Sequence, residues 1–150
     1  MKIALATDHA GFELKEKLKL VLENEGHTIT DCGAFELNKE DDYPEYIAPA
    51  AQALVGGTVD RAIILGGSGE GEAMVANRFQ GVRAVVYYGG NDSIIRLSRE
   101  HNDANVLSLG ARFLSEEEAR IAVLTWLALP GPTEERHIRR VRKVDGIVSH

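Results

Sequence analysis

Apolar positions along the chain change their spacing repeatedly, and each change marks an element. "KIALAT" (2–7) is a continuous apolar run of buried-strand type. "FELKEKLKLVLENEG" then returns to helical spacing, with Phe12, Leu14, Leu18, Val21 and Leu22 on one face and Gly26 as the stop signal. "HTITDC" predicts a second, shorter strand, and "GAFELNKEDDY" a polar loop. Pro44 suits the first turn of a helix running to Gly56–Gly57, with Pro49 expected to kink it or delay its start. "DRAIILGG" predicts a third strand, Glu72–Phe79 a helix, "RAVVYY" a fourth strand, "DSIIRLSREH" a helix and "NVLSLG" a fifth strand. Ser115 is placed to cap "EEEARIAVLTWLAL", whose first turn carries three glutamates where the helix dipole favours them. After "PGP", the helix "EERHIRRVRKV" completes the pattern.

Strands alternating with helices predict an α/β fold: a single doubly wound domain over residues 1–150, its five-stranded parallel sheet covered by helices on both faces. No internal repeat, low-complexity tract or long linker divides it. No apolar run reaches membrane-spanning length, and the apolar part of "MKIALATDHAG" is too short for a signal peptide. The lone Cys32 excludes an internal disulfide and fits a reducing, cytoplasmic setting. A net charge of −6 argues against broad binding to nucleic acid or anionic membrane. It leaves room for a small anion held by a few arginines.

In open α/β sheets, ligands bind beyond the carboxyl ends of the strands. The first strand leads there into Asp8, His9 and Gly11, the third into Gly66–Glu72, and the fifth into Gly110 and Arg112. The stretch "GGSGEGEAMVANR" (66–78) resembles a phosphate cradle, yet it carries Glu70 and Glu72. Glu72 stands where a P-loop needs lysine followed by Ser/Thr. The dinucleotide pattern fails as well, because Glu72 or Met74 occupies its third small position. What remains is a run of backbone N–H groups beside a carboxylate. Those are the parts for removing a proton alpha to a carbonyl and holding the resulting oxyanion, as in aldose–ketose isomerisation. Glu72 fits that base role and, equally well, the role of a first-turn glutamate complementing the dipole.

The helix segment "RHIRRVRK" places five cationic residues in eight. Arg136 and Arg140 share a face and suit a phosphate monoester, whereas Arg139, Arg142 and Lys143 suit a solvated surface. His101 lies at a helix end, a common place for a capping histidine. Asp8, His9 and His101 do not form an H-x-x-x-H or Cys/His pattern, so no metal is expected. Tyr87 and Tyr88 fit either a pocket wall or packing.

The segments "ATDHAGFELK", "DDYP", "GGSGEGEAMVANRFQGVRAVV", "SREHNDANVLSLGAR" and "RHIRRV" together closely resemble the ribose-5-phosphate isomerase B family, which includes the galactose-6-phosphate isomerase subunits. The resemblance spans nearly the whole chain. It implies a Rossmann-like fold and metal-free, cofactor-free interconversion of ribose 5-phosphate and ribulose 5-phosphate. It also implies a homodimer or dimer of dimers with active sites at the subunit interface. By position, Asp8 and His9 would contact the sugar phosphate, and His101, aided by Asp8, would assist ring opening. Gly67, Ser68, Gly69, Glu70 and Gly71 would form the anion hole, with Ser68 moving a proton between O1 and O2. Asn102 would bind sugar hydroxyls, and Arg112, Arg136 and Arg140 the phosphate. Many members carry a cysteine base immediately before the G-[ST]-G loop, where this chain has Gly66. The branch without it uses the glutamate of G-S-G-x-G-E, matched here by Glu72, so the resemblance assigns the base to Glu72. A hexose- or tetrose-phosphate isomerase is the nearest alternative, and a non-catalytic sugar-phosphate-binding module the alternative from another class.

Overall fold

A computed structural model describes residues 1–147; of the span 1–150 expected to form one domain, residues 148–150 lie outside the described residues. The five strands are β1 (Lys2–Thr7), β2 (Thr28–Asp31), β3 (Arg61–Gly66), β4 (Ala84–Tyr87) and β5 (Val106–Gly110). They form one sheet in the order β2-β1-β3-β5-β4, and every pair is parallel. The helices are α1 (Phe12–Asn24), α2 (Pro44–Val55), α3 (Glu70–Ala76), α4 (Ser93–Glu100), α5 (Glu116–Ala128) and α6 (Glu135–Asp145). Among the described residues, no helix is long and apolar enough to cross a membrane.

Alternation along the central strands sorts their side chains onto two unlike faces. Ile3, Leu5, Ile63, Leu65, Leu107 and Leu109 pack with residues of α1, α4 and α5, around a fully buried Trp126. Ala4, Ala6, Ala62, Ile64 and Val106 meet α2 and α3 through Ile47, Ala50, Ala51 and Ala76. The smaller side chains of this second face let those helices approach closely, so the glycine loop ahead of α3 lies tight against the sheet.

Three local outcomes differ from the sequence expectation. Helix α2 starts at Pro44 and continues through Pro49 to Val55. Helix α3 begins at Glu70 and not at Glu72, so both glutamates occupy its first turn. On α1 the fully buried residues are Leu18, Leu22 and, against hydropathy, Lys15. The Lys15 Nζ donates to Asp31 Oδ1 at 2.7 Å and to the Ala34 carbonyl at 2.8 Å, which makes its burial tolerable. The cap on α5 is as expected: Ser115 and Glu118 form a reciprocal capping box.

The chain runs from β1 outward to β2, then crosses to β3 on the other side of β1. The switch point therefore lies between the carboxyl ends of β1 and β3, where a crevice opens in such sheets.

Candidate active site

Two segments meet at that crevice. Thr7 and Leu65 are register partners, and the Thr7 hydroxyl donates to the Leu65 carbonyl at 2.9 Å. A side chain on Gly11 would strike Thr7 Oγ1 and the Leu65 Cβ, so the turn after β1 can press onto β3 only with glycine there. That turn buries Asp8, whose Oδ1 accepts from the Ala10 N–H at 2.9 Å. His9 follows, with Nδ1 2.7 Å from Asp41 Oδ1 and its backbone N–H donating to the same oxygen at 3.1 Å.

From β3, the glycine loop turns into α3 through Gly69, which sits at φ 81° in the left-handed region. The Gly69 carbonyl accepts from the buried Ser108 hydroxyl at 2.6 Å, tying the loop down onto β5. The Ala111 and Arg112 N–H groups donate to the Gly66 and Gly67 carbonyls at 2.8 and 3.1 Å. The Arg112 guanidinium thus lies across Gly67, where an added Cβ would be 3.1 Å from its Nη1. The Tyr43 hydroxyl lies over Gly71, 2.7 Å from the position of an added Cβ.

Glu72 is only 4% exposed, and its carboxyl group fills the space beside Gly66. A Cβ on residue 66 would collide with the Glu72 carboxyl carbon and both its oxygens. One volume at the end of β3 can therefore hold a side chain from position 66 or the Glu72 carboxylate, but not both. Burial pushes the Glu72 carboxyl above its usual range, and the nearby Asp8 charge pushes the same way against the helix-end N–H of Glu72 itself. A carboxylate with a raised pKa at the foot of a glycine loop can accept a proton from carbon where backbone N–H groups of that loop are free to hold an oxyanion.

The remaining expected residues lie elsewhere. Helix α4 returns from β4, so His101 and Asn102 fall at the amino edge of the sheet, opposite Glu72. The reciprocal pair confirms this placement: the Asn105 N–H donates to the Arg83 carbonyl, and the Arg83 N–H to Asn105 Oδ1, just ahead of β4. There His101, Asn102, His137 and Arg140 line a cavity of about 400 Å³ between α6 and the start of β4. The His101 and His137 rings stack at 4.0 Å with only 9° between planes. Burial and the neighbouring His101 lower the pKa of His137, whose buried Nε2 has no partner among the described residues. Arg136 is turned away onto Glu134, at 2.8 Å. Arg139, Arg142 and Lys143 are exposed, as expected of a solvated face.

The loop carrying His101 and Asn102 is held firmly. Arg99, 1% exposed, donates to Asp103 Oδ1 at 2.9 Å and to the Ala104 carbonyl at 2.6 Å. Arg83 joins Asp103 at 3.2 Å to Asp145 of α6 at 2.7 Å, fixing the helix against the loop. Asp103 adopts φ 46°, a conformation that aspartate tolerates better than most residues.

Asp41, Tyr43 and His137 have no role that the sequence pattern alone assigns. "DDYP" was a visible motif, but only the fold brings it against His9 and Gly71. Asp8, His9 and Asp41 also present ligand atoms within 4.8 Å of one another, a grouping that no sequence spacing signals. In this arrangement Nδ1 of His9 is engaged by Asp41. Tyr87 is buried and donates to Asp92, so it packs, while Tyr88 is exposed beside Phe113. Burial and the neighbouring Asp31 push the Cys32 thiol up, outweighing the opposite pull of Lys15.

The fold and this crevice define a class: a parallel α/β domain that sets a buried carboxylate beside backbone donors at its switch point. The Ribose/Galactose Isomerase family model matches residues 3–144, and the chain belongs to that family. A relative from Mycolicibacterium paratuberculosis, named ribose-5-phosphate isomerase B, is 38% identical over 94% of this chain and 87% of its own. The solved ribose 5-phosphate isomerase from Thermotoga maritima is 40% identical, with a TM-score of 0.90 over 97% of this chain and 98% of that one. That of ribose-5-phosphate isomerase B from Mycoplasma genitalium, with bound ribulose-5-phosphate, is 30% identical, with a TM-score of 0.90 over 97% and 94% of the two chains.

Proposed function

We propose that this chain interconverts ribose 5-phosphate and ribulose 5-phosphate through a cis-enediolate, with Glu72 as the base. In the open-chain aldose, Glu72 removes the proton from C2. The N–H groups of Gly67–Gly71 hold the charge that develops on O1, Ser68 passes the hydroxyl proton from O2 to O1, and Glu72 returns its proton to C1. The observation that carries the reading is the Glu72 carboxyl filling the space beside Gly66, buried and raised in pKa beneath the loop. Its raised pKa brings the base closer to the pH at which it must both accept and return a proton.

His101 opens the sugar ring with help from Asp8, Asn102 binds sugar hydroxyls, and His9, Arg112, Arg136 and Arg140 hold the phosphate. His101, Asn102 and Arg140 lie at the opposite sheet edge from Glu72, so a complete site takes them from a second copy. The active unit is therefore a homodimer or dimer of dimers, with its sites between subunits, acting in the cytoplasm as one catalytic domain over residues 1–150. Neither a metal nor a cofactor takes part.

The test is a turnover panel of aldose phosphates of four, five and six carbons, run with and without chelator. Ribose 5-phosphate should be the preferred substrate and chelator should have no effect. Preference for another chain length would reassign the substrate. Binding without turnover of any member would make the chain a sugar-phosphate-binding module.

A further inference from the structure

The loop between β2 and α2 supplies a group that the reaction as described leaves unused. The Asp41 side chain is 3% exposed, and its Oδ1 meets both Nδ1 and the backbone N–H of His9. Two turn contacts fix the segment that carries it: the Asp41 N–H donates to the Asn38 carbonyl at 3.2 Å, and the Glu40 N–H to Asn38 Oδ1 at 3.0 Å. Its second oxygen, Oδ2, is buried with no partner at hydrogen-bond geometry among the described residues. A buried carboxylate can only accept, so Nδ1 of His9 must carry the hydrogen between them. Asp8 does not compete for it: its Oδ2 is 3.8 Å from Nδ1, and its Oδ1 is taken by Ala10. The imidazole is thereby held in one orientation and one tautomer, with Nε2 left as the nitrogen available to a ligand.

We propose that Asp41 is a positioning residue that locks His9 with Nε2 presented to the phosphorylated end of the substrate. This rests on the reading that His9 contacts the sugar phosphate. Asp41 touches no substrate itself, and its whole effect passes through the ring. A two-point hold on a side chain that would otherwise rotate about χ1 and χ2 lets the contact form without ordering the ring at each binding event.

The experiment measures kcat and KM for ribose 5-phosphate, and inhibition by inorganic phosphate, in Asp41→Ala, Asp41→Asn, His9→Asn and the His9→Asn/Asp41→Ala double variant. Nitrogen-15 imidazole spectra of His9 are recorded for wild type and both Asp41 variants. Asp41→Ala should raise KM roughly 10-fold with kcat little changed, and weaken phosphate inhibition by a similar factor. It should also abolish the single Nδ1–H tautomer in the spectra. Asp41→Asn retains an acceptor oxygen and should restore both the tautomer and most of the affinity. Adding Asp41→Ala to His9→Asn should cost nothing more, whereas a merely structural role would make the two effects multiply. Multiplying effects, or an unchanged KM in Asp41→Ala beside an impaired His9→Asn, would overturn Asp41's role alone. An unchanged KM in His9→Asn would remove the phosphate contact itself and overturn the proposal from that side.

Discussion

The two ends of this sheet are finished to different degrees. At the carboxyl edge the polar groups largely satisfy one another within the chain: Thr7 with Leu65, Asp8 with Ala10, His9 with Asp41, and the Ser68 hydroxyl with the Glu70 N–H at 3.3 Å. At the amino edge the frame is locked by Arg83, Arg99 and Asp103, but Asn102 and Arg140, which it carries, are exposed to solvent. One buried atom at each edge lacks a partner among the described residues, Asp41 Oδ2 at the carboxyl end and His137 Nε2 here. A rigid frame holding free groups is suited to completing a site that lies on another surface. On the proposed reading, each chain presents half a site at either end of one sheet, and two-fold pairing joins unlike ends twice.

The largest expected effect breaks the carboxyl-edge half. Glu72→Gln keeps the shape but removes the base, and turnover should fall roughly 10²–10⁴-fold with KM little changed. Gly66→Ala probes the same point from the other strand position, because its methyl would displace the carboxyl without altering its chemistry. It should lose activity while circular dichroism still reports a folded chain. Near wild-type turnover in Glu72→Gln would take the base away from this residue.

Joining the two halves tests whether they belong to different chains. His101→Asn alone should slow turnover on the order of 10²-fold through loss of assisted ring opening. Co-expressed in equal amounts, Glu72→Gln and His101→Asn chains pair at random, so half the dimers are mixed. Each mixed dimer contains one fully intact site of its two, and the preparation should recover roughly a quarter of wild-type activity. A mixture no more active than its parents would place each whole site within one chain and dissolve the comparison.

The sequence made one of these regions far more legible than the other. Strand ends announce themselves through hydropathy, so Asp8, His9, the glycine loop and Arg112 could be assigned to one edge from pattern alone. The alternation of elements likewise predicted the doubly wound sheet. Periodicity did not reveal Lys15 as buried, because a cation becomes a core residue only where Asp31 and the Ala34 carbonyl are folded against it. Nor did it show that Pro49 leaves α2 continuous. Asp41 and Tyr43 sat in a stretch that looked like ordinary polar loop. His101 and Arg140 are candidates by residue type, but their distance from Glu72 depends on the direction in which α4 and α6 run.

Arg140 and Arg136 sharpen the amino-edge half. Arg140 faces the cavity, and its replacement by alanine removes a charge-assisted phosphate contact, so KM should rise roughly 10- to 100-fold. Arg136 must first leave Glu134, an exposed pair worth little, and Arg136→Ala should give a smaller rise in KM. Titration calorimetry with a non-reactive sugar-phosphate analogue separates this from effects on turnover. Unchanged affinity in both variants would return α6 to a solvated basic surface.

The smallest expected effect concerns stability and asks what the carboxyl-edge half costs the fold. The Glu72 carboxyl is raised above its ordinary 4.5, chiefly by burial and further by Asp8. Between the unfolded and folded values, the folded chain therefore holds more protons than the unfolded chain. Stability must fall as pH rises through that window, the reverse of the usual salt-bridged carboxylate. Above the folded value the penalty is complete and constant. Glutamine carries no such charge, so Glu72→Gln should melt close to wild type below about pH 4.5 and higher than wild type at neutral pH. Thermal melts of both proteins across pH 4–8 measure the difference directly. A variant that melts lower than wild type at neutral pH would mean that the ionised carboxylate is well solvated or well paired in the free enzyme. The crevice would then hold Glu72 as a satisfied helix-end acid, and the raised pKa would no longer support its place as the base.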